Sequence, residues 1–322
     1  MIRRLLVALL TGASVCGGAQ DLRLGIVGTD STHAVEFTRT FNDASAPNHT
    51  AGAHVVAAYR GGNPALTLSR DRIERISTTL SHELSIPFVT AIAELCPKVD
   101  GILILSVDPA SRVREFEQAA SCGKPVFLDK PLGGSLPDAL RLSRIAARKH
   151  VAWFTASALR YSITTPPVSL QAAELWGPGD LGRPDQGYTL DLAWYGIHTL
   201  EAMYALLGPG VTQVSRTQHG DADTLHCIWQ DGRTATVHLI RPDYSFGALL
   251  FQQGANQPER IDLKVSYPAL LQQVVLFMKT GKPPVSSEET LEVFRLMQAS
   301  QVSLRHHGAL TALSYPTSQK DK

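Results

Sequence analysis

The sequence is poor in cysteine, modest in aromatic residues and without an excess of either charge. Four cysteines in 322 residues cannot build the disulfide framework of a small secreted scaffold, and Cys16, Cys96, Cys122 and Cys227 lack the close pairs of a structural zinc site. Lys and Arg number 30 against 29 Asp and Glu, a formal net charge of +1. No basic stretch stands out, so no nucleic-acid partner is implied. At 44% hydrophobic and 18% charged residues the chain is too apolar for disorder. Long apolar runs are also lacking: none reaches the roughly 20 residues a helix needs to span a bilayer. What is left is a globular chain long enough for about two domains.

The first twenty residues, MIRRLLVALLTGASVCGGAQ, combine a basic start (Arg3, Arg4), an apolar run (Leu5 to Leu10) and a small-residue end. That is the layout of a secretory signal, with Gly17 and Ala19 at the small positions before a cut ahead of Gln20. Residues 1–19 are therefore expected to direct export, to the periplasm, and to be removed. Arg3-Arg4 as a twin-arginine signal lacks a preceding Ser or Thr. Cleavage takes Cys16 away and leaves three cysteines, enough for one intramolecular disulfide.

From Leu22 onward strand and helix patterns alternate. Leu22 to Gly28 reads as a strand and Ala34 to Phe41 as its helix; Val55 to Tyr59, Pro87 to Val89, Ile102 to Val107, Pro125 to Leu128 and Val151 to Phe154 read as further strands. Helices are expected over Leu68 to Leu84, over Pro109 to Cys122 with its stop at Gly123, and from a Ser135 cap through Lys149. Such alternation predicts a doubly wound parallel sheet over residues 20–155, with ligands at the C-terminal strand ends, where Gly28, Tyr59, Ser106 and Asp129-Lys130 fall. Residues 156–310 read as a second, α/β domain: a long Pro-, Gly- and Thr-rich connection over 162–187, a helix from Tyr195 to Leu207, four strands between Val211 and Phe251 with a turn at Asp231-Gly232, and two helices, Pro268 to Lys279 and Thr290 to His306. Ser286 and Glu289 are spaced as a capping box. Residues 311–322 read as a tail.

Two segments carry a resemblance. Ala119 to Pro131, AASCGKPVFLDKP, and Gly196-Ile197-His198 resemble signatures of the Gfo/Idh/MocA family of nicotinamide-dependent oxidoreductases; Leu181-Gly182-Arg183 and Gly281 to Ser286 are similar to weaker ones. The resemblance spans nearly all of residues 21–305. It implies a Rossmann-like domain followed by a domain with an open, mainly antiparallel sheet, whose exposed face would join copies of the chain into a homo-oligomer. It also implies NAD or NADP as cofactor and hydride transfer on a sugar or polyol-like substrate. Oxidising such a carbon needs a group to take the hydroxyl proton and a charge to steady the oxygen. The resemblance assigns these roles to Lys130 and His198, with Arg160 facing the substrate; Arg160 reads equally as an interdomain salt bridge, Lys130 alone as a turn lysine before Pro131, and His198 alone as a structural helix-start histidine.

Other positions depart from the family pattern. Where G-x-G-x-x-G would cradle the cofactor diphosphate, the chain has Gly28-Thr29-Asp30-Ser31-Thr32-His33. Asp30 stands in the path of an anion, and Asp30 or Ser31 serves equally as a helix cap. The second strand ends in Tyr59-Arg60 instead of an acidic residue; Arg60 suits a 2′-phosphate and Tyr59 an adenine, or Arg60 is an ordinary exposed arginine. Trp194 replaces the Asp expected four residues before His198, with Tyr195 as a substitute proton donor and Asp191 farther upstream. Candidate cofactor-binding residues are thus Gly28, Thr29, Asp30, Ser31, His33, Tyr59, Arg60, Ser106, Asp129, Lys130 and Pro131. Three functions are expected in order: an exported oxidoreductase, a non-redox carbohydrate-binding or assembly protein that keeps the fold, and a metal-assisted hydrolase or lyase using Asp30, His33 and His198.

Overall fold

A computed structural model describes residues 20–163, 169–242 and 244–315. The expected export signal, residues 1–19, lies outside the described residues, as do 316–322 of the tail. The first half runs β1 (Leu22–Val27), α1 (Thr32–Asn42), β2 (Ala53–Tyr59), α2 (Thr67–Thr78), β3 (Phe88–Val89), β4 (Gly101–Ile104), α3 (Pro109–Ala119), β5 (Val126–Asp129), α4 (Leu136–Lys149) and β6 (Trp153–Ala156). Its six strands pair in parallel in the order β3-β2-β1-β4-β5-β6. This is the doubly wound sheet the alternation predicts, with its switch point between β1 and β4.

Alternate residues of each strand enter different cores. Leu24, Ile26, Leu103 and Phe127 face α1, while Val27, Ile102, Ile104 and Val126 face α3 and α4. A sheet covered on both sides requires strands apolar on both faces, which is why Gly101–Ile104 shows no alternation in its burial. The helix stops follow local chemistry: α3 begins on an Asp108 cap with Pro109 and closes through a short 3-10 turn onto Gly123 at φ 63°. α2 ends earlier than the pattern to Leu84 suggests, at Thr78, and continues as one π-helical turn over Thr79–Glu83.

The second half runs β7 (Leu170–Pro178), α5 (Gly196–Leu207), β8 (Val211–His219), β9 (Ala222–Trp229), β10 (Thr234–Ile240), β11 (Gly247–Gln252), β12 (Glu259–Asp262), α6 (Tyr267–Thr280), α7 (Ser287–Arg305) and β13 (Thr311–Ala312). Its sheet has the order β12-β11-β7-β10-β9-β8-β13 and is antiparallel except where β7 meets β10. The connection expected over 162–187 is corrected here, because β7 is a central strand of this sheet. Its residues LQAAELWGP are mostly helix formers, and pairing with β10 and β11 overrides that preference. The short strands β12 and β13 had no sequence signal.

α5 and α7 cover one face of this sheet. The other face carries Glu174, Trp176, Thr224, His226, Thr236 and His238, partly exposed. α6 does not remain with its own sheet: Leu270, Leu271, Val274 and Phe277 join the core of α1 and β1, which brings Tyr267 to the strand ends of the first sheet. Ser286 caps α7 through the Glu289 N–H at 3.1 Å, but the Glu289 carboxylate pairs with Arg160 instead of closing the capping box. Cys96 and Cys122 form a disulfide with Cα atoms 5.0 Å apart, and Cys227 is buried and free.

Candidate active site

β5 ends in Asp129, Lys130 and Pro131, α1 opens with His33 in its first turn, α5 opens with His198, and α6 opens with Tyr267. These four starts and ends converge on one cavity of about 170 Å³, lined by His33, Asp129, Lys130, Tyr195, His198 and Tyr267 with Phe246, Val265 and Leu270 as apolar wall. The cavity lies between the two sheets at the C-terminal ends of the parallel strands, where ligands bind in such folds.

Asp129 is buried, and both its oxygens are engaged: Oδ1 accepts from the Lys130 N–H at 2.9 Å and Oδ2 lies 2.7 Å from His33 Nδ1. Burial pushes this carboxyl up, but the His33 charge and hydrogen bond, with Lys130 and Arg112 nearby, outweigh it and hold the pKa at about 2. An ionised Asp129 keeps the proton on His33 Nδ1. His33 Nε2 then faces the Tyr267 hydroxyl at 3.0 Å. Phe37 stacks on the His33 ring at 5.1 Å and fixes its plane. The buried Arg112 holds the strand ends in place, donating to the carbonyls of Ser106, Asp129 and Pro131.

Lys130 Nζ lies 5.7 Å from the Tyr195 ring centre and 6.0 Å from that of Trp194. Burial lowers its pKa, reinforced by Arg112 and opposed by Asp129. Trp194 thus faces the lysine where the family pattern has a carboxylate. Ser157 Oγ accepts from the Leu159 N–H at 3.1 Å and lies within hydrogen-bond distance of His198 Nδ1 at 2.7 Å. His198 is held well below its usual range by burial and by the Lys130 charge. It is therefore neutral at pH 7 and a poor base. Tyr195 is 36% exposed at the cavity edge, its ring 5.5 Å from His198.

The residues proposed to hold a dinucleotide are arranged otherwise. Gly28, Thr29, Asp30, Ser31 and Ser106 are all buried. Gly28 at φ 89° lets the loop after β1 press on the loop after β4: an added Cβ would stand 2.6 Å from the Ser106 N. Thr29 turns away to Ser77 at 2.8 Å and to the Arg60 carbonyl. Asp30 Oδ1 accepts from the Val107 N–H at 3.0 Å across the switch point, and Oδ2 is buried without a partner. Beneath it Ser106 donates to Glu115 at 2.6 Å. Burial and the Asp30 charge push Glu115 up to about 7. Asn63 donates to Asp108 at 2.9 Å and ties the loops after β2 and β4 together. The buried Asp30 carboxylate and a closed crevice do not fit the diphosphate of NAD or NADP, which requires exposed N–H groups and no fixed anion.

Other expected residues are placed apart from the cavity. Arg160 is the salt bridge: its guanidinium pairs with Glu201 at 2.7 Å and with Glu289. Asp191 is held by Arg216 at 2.9 Å. Tyr59 packs against the core, and Arg60 is exposed and pairs with Glu74 at 2.6 Å. Ser31 caps α1. The metal arrangement is corrected too: Asp30 faces Val107 while His33 and His198 face other partners, and among the described residues no group of three or more His, Cys, Asp or Glu could hold a metal. Among the described residues, no helix is long and apolar enough to cross a membrane. Tyr267 and Arg112 had not been singled out in the sequence, and nothing local marks either.

The two sheets define a fold that this chain shares with solved structures. The chain is similar to an oxidoreductase from Agrobacterium radiobacter solved with NAD+, L-tartaric acid and magnesium (17% identity, TM-score 0.67, covering 91% of this chain and 99% of that one). It is also similar to two Lactobacillus casei enzymes: apo scyllo-inositol dehydrogenase (12%, 0.69, 92% and 99%) and myo-inositol dehydrogenase with NAD(H) and myo-inositol (14%, 0.68, 94% and 99%). No protein-family model matches the sequence, and no curated protein matches it. At these identities the likeness establishes the fold.

Proposed function

We propose that this chain binds a small polyhydroxy carbonyl compound, sugar-like in character, between its two sheets and catalyses proton transfer on it without a dinucleotide. The observation that carries this reading is the Asp30 carboxylate bonded to the Val107 N–H in the switch-point crevice, where the cofactor anion would lie. The cavity supports the substrate class: polar groups on one side, Phe246, Val265 and Leu270 on the other, a lining suited to a compound with hydroxyls and C–H faces. A similar Lactobacillus casei enzyme was solved with a polyhydroxy compound, myo-inositol. Lys130 and His198 would meet a carbonyl oxygen and steady the negative charge that forms when the neighbouring carbon loses its proton. The reaction class is isomerisation or elimination.

The test is proton NMR of the protein in D2O with a panel of ketoses, aldoses and uronic acids. Deuterium should enter next to the carbonyl of at least one compound, and Lys130→Ala should abolish it. Absence of exchange across the panel would remove the reading.

A second reading, NAD(P)-dependent oxidation of a sugar or polyol, is favoured by one observation: the Arg60 side chain borders a surface dent with Ser77, Thr78, Ser81 and His82, which would suit a 2′-phosphate once Arg60 leaves its exposed partner Glu74 in the same dent. Export to the periplasm is part of the proposal and is supported by the Cys96–Cys122 disulfide, since such bonds persist in oxidising compartments. Association of copies through the outer face of the seven-stranded sheet is likewise proposed; light scattering on the purified chain tests it.

A further inference from the structure

Three polar side chains that the fold does not need at this position meet on one wall of the cavity. His33 comes from α1, Asp129 from β5 and Tyr267 from α6, and they form a continuous line, Asp129 Oδ2 to His33 Nδ1 at 2.7 Å and His33 Nε2 to Tyr267 Oη at 3.0 Å. The other buried ionic clusters, Arg216 with Asp191 and Asp223 and Arg160 with Glu201 and Glu289, tie elements together away from the cavity. This one ends on a hydroxyl in the cavity wall. Ring packing fixes its direction: Phe37 stacks on His33, and Tyr267 meets both edge-on at 5.2 and 5.6 Å.

Resting on the proton-transfer reading above, we propose that Tyr267 is the catalytic base and acid of this site, with His33 as its proton partner and Asp129 as the residue that orients His33. In the forward step the substrate C–H bond breaks and its proton passes to Tyr267 Oη as the phenol's own proton moves to His33 Nε2. The C–H electron pair moves onto the neighbouring carbonyl oxygen, opposite Lys130 and His198. The imidazolium formed is stabilised by the Asp129 carboxylate, the orienting role a carboxylate plays behind a histidine base. Return of the proton to carbon, or departure of a hydroxyl from the next carbon as water, completes an isomerisation or an elimination, and no electrons leave the substrate. Burial and the Asp129 charge push Tyr267 up to about 12, so near neutral pH the phenol keeps its proton unless a partner takes it. His33 removes that obstacle by taking the phenolic proton in the same step.

The titratable and charged groups facing Tyr267 are Asp129 and Lys130 from β5, His33 and Glu36 from α1, and Tyr195 and His198 from α5. Imidazole nitrogen NMR on the 15N-histidine-labelled full chain isolates His33 among them. The expected result is a proton on His33 Nδ1 with Nε2 accepting the Tyr267 hydroxyl, and a Tyr267→Phe variant, folded by circular dichroism, whose His33 Nε2 chemical shift moves as that hydrogen bond is lost. Asp129→Asn should move the proton off Nδ1. In the D2O assay Tyr267→Phe should slow exchange about 100-fold while the exchanging compound still perturbs the His198 signals. An unchanged His33 Nε2 chemical shift in Tyr267→Phe would overturn the relay whatever the activity. A wild-type protein inactive on the whole panel, with the His33 shifts as expected, would overturn the proton-transfer function and leave the hydrogen-bonded line standing. Exchange undiminished in Tyr267→Phe would overturn the tyrosine as base.

Discussion

The Asp30 side chain, on the loop after β1, accepts the Val107 N–H of the loop after β4 at 3.0 Å, so the protein's own carboxylate bridges the two strands that border the cofactor crevice of this fold. A residue that would repel a bound diphosphate is here part of the architecture. Its second oxygen has no partner, a feature that separates two substitutions. Asp30→Ala strands the Val107 N–H and should lower unfolding free energy by about 1–3 kcal/mol. Asp30→Asn keeps the acceptor and removes a buried charge beside Glu115, so its stability in urea should equal or exceed that of the wild type.

Glu115 sets a pH dependence. Its folded pKa is raised from 4.5 to about 7, first by burial and then by the Asp30 charge. Between those values the folded state holds a proton that the unfolded chain has released, so stability falls as pH rises from about 4.5 to about 7 and is level above that. The contribution is about 3 kcal/mol at 1.36 kcal/mol per unit. Thermal unfolding of Glu115→Gln from pH 4.5 to 8 should be flatter than that of the wild type and should show the higher midpoint at pH 8.

Arg160 holds α5 and α7 to the segment after β6 through Glu201 and Glu289. Arg160→Ala would leave both carboxylates buried without their cation, at a cost of about 3–5 kcal/mol. Because Arg160 does not line the cavity, any activity the folded fraction shows should keep the wild-type KM.

The sulfur pairing can be counted. With Cys96 and Cys122 joined and Cys16 removed by export, denatured protein from the periplasm should give one thiol, Cys227, before reduction and three after it. Three thiols without reductant would contradict the pairing and the export proposal together.

Much of the frame was readable because it rests on local rules. Most of the parallel strands announced themselves by short apolar runs, and Asp129-Lys130 and His198 were marked by the segments around them. β7 was not readable, since Ala172, Ala173 and Glu174 favour helix and only the pairing with β10 and β11 makes them a strand. The site was half readable for a similar reason. His33 stood out as part of the altered glycine loop, yet its partners lie 96 and 234 positions away, and no periodicity joins them. Arg112 looks like a surface residue of an amphipathic helix, and its three carbonyl partners appear only when β4 and β5 are side by side.

The central claim is that the switch-point crevice is closed to dinucleotides. Fluorescence titration of the purified mature chain with NADH and with NADPH tests it most directly. The expected result is no saturable binding up to about millimolar concentration, where the interaction free energy would be about −4 kcal/mol. Saturable binding in the micromolar range by either nucleotide, weakened by Arg60→Ala, would contradict it and restore the oxidoreductase reading.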